Sequence, residues 1–153
     1  MSPSPSLQFP QLVLTVNCDG GARGNPGPGA SAFILTTSSG QVLYQQGDYL
    51  GRVTNNQAEY AAVAFALDWI VNHNAKVQHM TFFLDSLLVV NQLKGQFKIK
   101  DPILKQKKTE IEAQLSRLSE LNTLTFTHIP RSHNSAADLL VNQTLDNHSD
   151  LPH

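Results

Sequence analysis

Apolar and polar residues alternate from Gln11 to Cys18, with Leu12, Leu14 and Val16 on one side of an extended chain, so this stretch reads as a first β-strand. Ala30 to Thr37 and Val42 to Leu50 repeat the period of two. Between them Ser38, Ser39 and Gly40 form a short polar loop of the kind that joins antiparallel strands. At Thr54 the period changes to about 3.6. Thr54-Asn55-Asn56-Gln57 has the form of a capping box, and Glu59, Val63, Ala66 and Ile70 then fall on one helical stripe. Val77 to Leu84 is the fourth strand, with Asp85 directly at its end. Ser86 caps a short helix through Leu93 that Gly95 stops, and Asp101-Pro102 opens another helix whose core stripe is Leu104, Ile111, Leu115 and Leu118. Leu124 to Ile129 is the last strand, ended by Pro130. A final helix starts at Asn134 or Ser135 with Asp138 in its first turn.

This order of three strands, helix, strand, two helices, strand and helix predicts an α/β fold. Hairpins connect three antiparallel strands, and right-handed crossovers add two parallel ones, giving a mixed five-stranded sheet flanked by helices. At 153 residues and 41% hydrophobic content, the chain suits one domain. The expected divisions are a flexible N-terminal tail at 1–10, the folded domain at 11–147 and a C-terminal tail at 148–153. The initial Met1 and the short tails favour a free-standing chain. One cysteine, Cys18, excludes an internal disulfide framework, no 18-residue apolar run exists to span a membrane, and the opening M-S-P-S-P-S lacks the features of a secretory signal. A reducing, cytoplasmic location is the expectation.

The net charge of −1 argues against a general polyanion binder, but the charge is unevenly spread. Lys94, Lys98, Lys100, Lys105, Lys107 and Lys108 give the segment 94–108 a charge of +5 against the single Asp101, leaving −6 on the rest. A solvated helix face is the plain explanation for such a run.

Four carboxylates are singled out by position. Asp19 and Asp85 stand where strands are expected to end. Glu59 and Asp138 lie in the first turns of helices that should rest on the same sheet. If the two strands are neighbours, all four meet at one edge, where their mutual repulsion calls for cations. Two divalent ions balance four negative charges, and a set of oxygen ligands alone suits Mg²⁺ or Mn²⁺ rather than zinc. Such a centre promotes displacement at phosphorus. Taken alone, Asp19-Gly20 is an ordinary hairpin turn, and a glutamate near a helix start is explained by the helix dipole. The dipole does not explain why Glu59 shares the buried stripe.

The blocks D-G-G-A-R-G-N-P-G-P-G at 19–29, T-N-N-Q-A-E at 54–59, D-S at 85–86 and H-I-P-R-S-H-N-S-A-A-D at 128–138 resemble, in order, the motifs of type 1 ribonuclease H in its compact form, without the additional basic helix. The resemblance covers roughly residues 11–147. It implies a ribonuclease H-like fold and endonucleolytic cleavage of the RNA strand of RNA/DNA hybrids, leaving 5′-phosphate and 3′-hydroxyl ends. It also implies two Mg²⁺ ions, for which Mn²⁺ substitutes, held by Asp19, Glu59, Asp85 and Asp138. Gly20, Gly21, Asn25, Asn55 and Asn56 match positions that contact the hybrid, where the 2′-hydroxyl distinguishes RNA. For the two asparagines before Gln57, helix capping alone is the alternative. Lys94, Lys98 and Lys100 match a short basic segment and are expected to hold DNA-strand phosphates. His128 matches a histidine that assists proton transfer or product release, with Arg131 and His133 as other candidates.

Leu84 and Leu87 depart from the usual polar residues around the third acid. A monomer is expected, since the site needs no second chain. The rival classes fit less well. A non-catalytic hybrid-binding module has no use for four gathered acids, which only destabilise. A phosphate-loop nucleotide binder needs a Lys and a Ser or Thr after the glycines, where this chain has Pro26 to Gly29.

Overall fold

The structure, a computed structural model, describes residues 12–149; the N-terminal tail 1–10 and most of the expected C-terminal tail lie outside these residues. Its strands are β1 (Leu12–Ala22), β2 (Gly27–Thr37), β3 (Val42–Val53), β4 (Val77–Leu84) and β5 (Thr123–His128). The helices are α1 (Asn55–Asn72), α2 (Leu87–Leu93), α3 (Pro102–Ser116) and α4 (Ser135–Ser149), with a 3-10 turn at Arg131–His133 before α4. The strands form one sheet in the order β3-β2-β1-β4-β5. Pairing is antiparallel between β1, β2 and β3 and parallel for β1 with β4 and β4 with β5, as the hydrophobic pattern predicts.

Period-two burial divides the sheet into two faces. Leu14, Val16 and Cys18 of β1, with Phe33 and Leu35 of β2, join Tyr60, Val63, Leu67 and Ile70 of α1 and the buried residues of α2 and α3 in the main core. On the other face Ala30 and Ala32 meet Val141 and Leu145 of α4 in a much smaller cluster. The Thr54 capping box forms as read: the Thr54 hydroxyl accepts from Gln57 N–H at 3.1 Å, and the Gln57 side chain accepts from Thr54 N–H at 2.9 Å. Asp101 and Ser86 cap α3 and α2, and Gly95 takes a left-handed φ of +81° just after α2.

Several boundaries differ from expectation: β2 starts at Gly27 rather than Ala30, and β3 runs to Val53 rather than Leu50. β1 does not end at Asp19 but continues to Ala22, because Gly20, Gly21 and Ala22 remain paired with Ser31, Ala30 and Gly29. The reversal falls later, at Arg23–Pro26, where Arg23 N–H donates to Pro28 C=O. What does end near Asp19 is its parallel neighbour, since the last β1/β4 pair is Asn17/Phe83. Leu118 lies beyond the end of α3, although it still rests against the core. α4 runs past the expected domain end at 147 to Ser149.

Gly20 sets how closely α1 approaches the sheet. A Cβ at this position would lie 2.2 Å from the Ala58 carbonyl carbon and 2.4 Å from Glu59 N, backbone atoms that have no freedom to withdraw. Gly20→Ala should therefore destabilise the fold by about 2–3 kcal/mol, measured by urea denaturation; an unchanged midpoint would mean that α1 moves freely on the sheet.

Candidate active site

Asp19, Glu59 and Asp85 come from β1, α1 and the end of β4, and each offers a carboxylate oxygen within 4.8 Å of the others. Asp19 faces the gap left where β4 ends. Glu59 is brought in by the first turns of α1 at the glycine contact, and its Oε1 accepts from Gly20 N–H at 3.3 Å. Asp19 and Glu59 are each only 5% exposed, whereas Asp85 and Asp138 are half-buried. Asp138 lies outside the tight group but lines the same cleft of about 320 Å³.

Removal from water raises the acid strength problem that the cluster poses. Burial, with the Asp85 and Asp138 charges, pushes the Asp19 carboxyl up to about 7, while hydrogen bonds from Glu59 and Gly20 N–H hold it down. Burial and then the Asp19 charge raise Glu59 well above the usual carboxylate range. Without a cation, burial and the neighbouring charge therefore both disfavour the ionised form of Glu59. Among the described residues, Glu59 Oε2 and Asp85 Oδ2 are buried with no hydrogen-bond partner. Two unpartnered oxygens in an all-oxygen donor set fit a hard divalent cation, which would take the place of the missing partners.

The rest of the cleft wall is mostly polar, with Ala22, Val141 and Leu145 its apolar members. Gly20, Gly21, Asn55 and Asn56 line it, together with Arg23, Arg131 and Asn142. Asn55 also braces the β1–β2 turn: its Oδ1 accepts from Ala22 N–H, and its N–H donates to Asn25 Oδ1, both at 2.9 Å. Asn25 is exposed and outside the cleft wall, so its clear role is to hold Asn55. Lys94, Lys98, Lys100 and His128 are exposed and do not line the cleft. Lys94 caps the end of α2, and Lys98 and Lys100 lie between α2 and α3. Among the described residues these three form no ion pair, whereas Lys107 and Lys108 on α3 pair with Glu110 and Glu112.

Residues 17–144 match the family described as reverse transcriptase-like. Ribonuclease HI of Halobacterium salinarum is 38% identical over 84% of this chain and 62% of its own length. The solved structure of LC11-RNase H1, from a compost metagenome, in complex with an RNA/DNA hybrid superposes with a TM-score of 0.83 at 36% identity, covering 90% of this chain and 99% of that one. The chain belongs to the type 1 ribonuclease H family. A bifunctional protein of Mycobacterium tuberculosis is 36% identical over 88% of this chain and 36% of its own. This ribonuclease H-family chain thus spans under two thirds of both relatives' length.

Sequence reasoning missed Arg23, Asn142 and Asn134 at this ribonuclease H-family site. Asn142 is one turn beyond Asp138 on α4, a spacing that would have placed it on the same face. Arg23 gives no such signal, because its 2.6 Å ion pair with Asp146 exists only once α4 docks.

Asp19 also ties stability to pH. The unfolded chain releases this proton near 3.8 and the folded, metal-free protein near 7, so the stabilisation present below 3.8 is lost as pH rises toward 7. In EDTA, Asp19→Asn should match wild type near pH 4 and exceed it at pH 7.5 by on the order of 2–4 kcal/mol, read from urea midpoints, with added divalent cation narrowing the gap. An equal gap at both pH values would contradict this account.

Proposed function

We propose that this chain is a metal-dependent endoribonuclease that cuts the RNA strand of RNA/DNA hybrids, leaving 5′-phosphate and 3′-hydroxyl ends. The observation that carries the reading is the gathering of Asp19, Glu59 and Asp85 within 4.8 Å in a polar cleft, with two buried carboxylate oxygens left unpartnered. Membership of the ribonuclease H family and likeness to a relative solved with a hybrid support the choice of substrate.

Asp19, Glu59, Asp85 and Asp138 would hold two Mg²⁺ ions, with Mn²⁺ able to substitute. When bound, such ions activate water and neutralise charge developing at phosphorus. The protein's own part is to keep the carboxylates fixed before substrate arrives, through the strand register, the Gly20 contact and the Glu59 hydrogen bond. Asn55 spends its Oδ1 on Ala22, leaving its amide as a donor to the hybrid's sugar oxygens, with Asn56 and Gly21 beside it on the wall. Lys94, Lys98 and Lys100, with no carboxylate partner among the described residues, hold the phosphates of the DNA strand. Since the site is complete within one chain, the proposed enzyme acts as a monomer. Its proposed location is the cytoplasm; among the described residues no helix is long and apolar enough to cross a membrane.

The cleft wall favours Arg131 over His128 as the residue that acts on the scissile phosphate or the product, because Arg131 lines it and His128 does not. His128 pairs with Leu84 at the end of β5, one strand removed from Asp19.

End-labelled hybrid, duplex RNA and duplex DNA should separate these ideas. Only the hybrid's RNA strand should be cut, with activity lost in EDTA and in Asp19→Asn; a folded wild type that binds hybrid without cutting it in either Mg²⁺ or Mn²⁺ would make the chain a binding module. Arg131→Ala should lower kcat at least about tenfold, with His128→Ala within about twofold, and the reverse ranking would return the role to His128. Lys98→Ala should weaken hybrid binding and reduce the salt dependence by about one counterion without changing kcat.

A further inference from the structure

α4 carries Asp138, yet little apolar material holds it to the sheet. Its buried contact consists of Val141 and Leu145 against Ala30 and Ala32, with Leu140 at the margin. Side chains this small give little resistance to sliding, and a shift of α4 along the sheet moves Asp138 relative to Asp19.

A polar lock stands at the start of this helix. Asn134 is 1% exposed, and all of its polar groups are engaged. Its Nδ2 donates to the Cys18 carbonyl at 2.8 Å, and its Oδ1 accepts from Asn17 Nδ2 at 3.1 Å. Its backbone N–H donates to Arg131 C=O, and its C=O accepts from Asp138 N–H at 3.1 Å. One residue therefore bonds the peptide next to Asp19 and also the peptide of Asp138. The last parallel pair of β1 and β4 is Asn17/Phe83, so the Cys18 carbonyl lies just where β4 stops accompanying β1, and a side-chain amide serves it there. Asn17 is two residues from Asp19 on the same face of β1, so it braces Asn134 from beside the carboxylate. The lock needs a donor and an acceptor on one short planar group, which Asn provides and Asp, Ser or Leu do not.

We propose that Asn134, braced by Asn17, is a positioning residue that holds Asp138 at its place relative to Asp19 and thereby sets the affinity of the cleft for divalent cations. This rests on the metal-dependent reading above.

The test is calorimetric titration of the full chain with Mn²⁺ for wild type, Asn17→Ala, Asn134→Ala and the double variant, alongside kcat and KM on hybrid and circular dichroism. Asn134→Ala should weaken Mn²⁺ binding about tenfold or more and lower kcat about 10- to 100-fold, with KM within about twofold. Asn17→Ala should weaken Mn²⁺ binding about threefold, and the double variant should be no weaker than Asn134→Ala, because the bond Asn17 makes is already gone. Wild-type Mn²⁺ affinity in a folded Asn134→Ala that only melts earlier would overturn the proposal, as would independent, multiplying effects of the two substitutions. Should Asn134→Ala fail to fold, unchanged Mn²⁺ affinity in Asn17→Ala overturns it and a threefold loss supports it. A wild type that binds Mn²⁺ but cuts no hybrid refutes the activity alone, and the calorimetric comparison still decides the role of Asn134; a wild type that binds no Mn²⁺ refutes both.

Discussion

Like charges brought out of water at the end of one sheet are the constraint around which the structure is arranged. Asp19, Glu59 and Asp85 are forced together by strand order and helix placement, and burial and mutual repulsion push the Asp19 and Glu59 carboxyls above the usual carboxylate range. The surrounding fold supplies the rigidity to hold that arrangement. α1 is pressed onto Gly20 until backbone meets backbone, and β1 stays paired with β2 on one side after β4 has stopped on the other. Asp19 and Glu59 thus project from a strand and a helix, with Asp85 directly after the end of β4, and the energy spent in burying them becomes affinity for cations.

The two faces of the sheet have different strengths. The main core packs large side chains such as Tyr60, Phe33 and Phe82 under three helices, and Tyr60 additionally ties α1 to α2 through a buried 2.7 Å hydrogen bond to Gln92. The opposite face relies on alanines, and polar contacts make up the difference: Asn134 at the start of α4 and the Arg23–Asp146 pair farther along, beside a close steric fit of Gly47 against Thr144. Glu59 thus belongs to the stronger face, whereas Asp19, whose cross-strand partner is Ala32, and Asp138 of α4 belong to the face that polar groups secure.

The lysine-rich segment illustrates how one charge run can serve two purposes. Its α3 members, Lys107 and Lys108, are matched by glutamates on the same helix, which is the ordinary solvated face. Lys94, Lys98 and Lys100 sit at a helix end and in the following loop, without such partners among the described residues. Composition does not separate the two groups; helix boundaries do.

Hydrophobic period, capping residues and turn chemistry determined nearly all of the element order. The Thr54 box, the Asp101-Pro102 start and the β4 limits are local properties, decided by neighbours within a few residues. Glu59, Asp85 and Asp138 were legible because they stand near the starts or ends of elements, whereas Asp19 was singled out by a strand end that the structure moves to Ala22; the family motifs mark all four. The real end of β1 was not legible, because Asp-Gly-Gly favours a turn locally, and only pairing with β2 keeps it extended. Nor were the cleft position of Arg131, the exclusion of His128 from the wall, or the lock between Asn17 and Asn134. These depend on contacts between residues more than a hundred positions apart, whose geometry exists only after the sheet is assembled and α4 has docked. Local free energies are written in short stretches of sequence; distances across the sheet are set by packing, and packing decided which polar groups share the site.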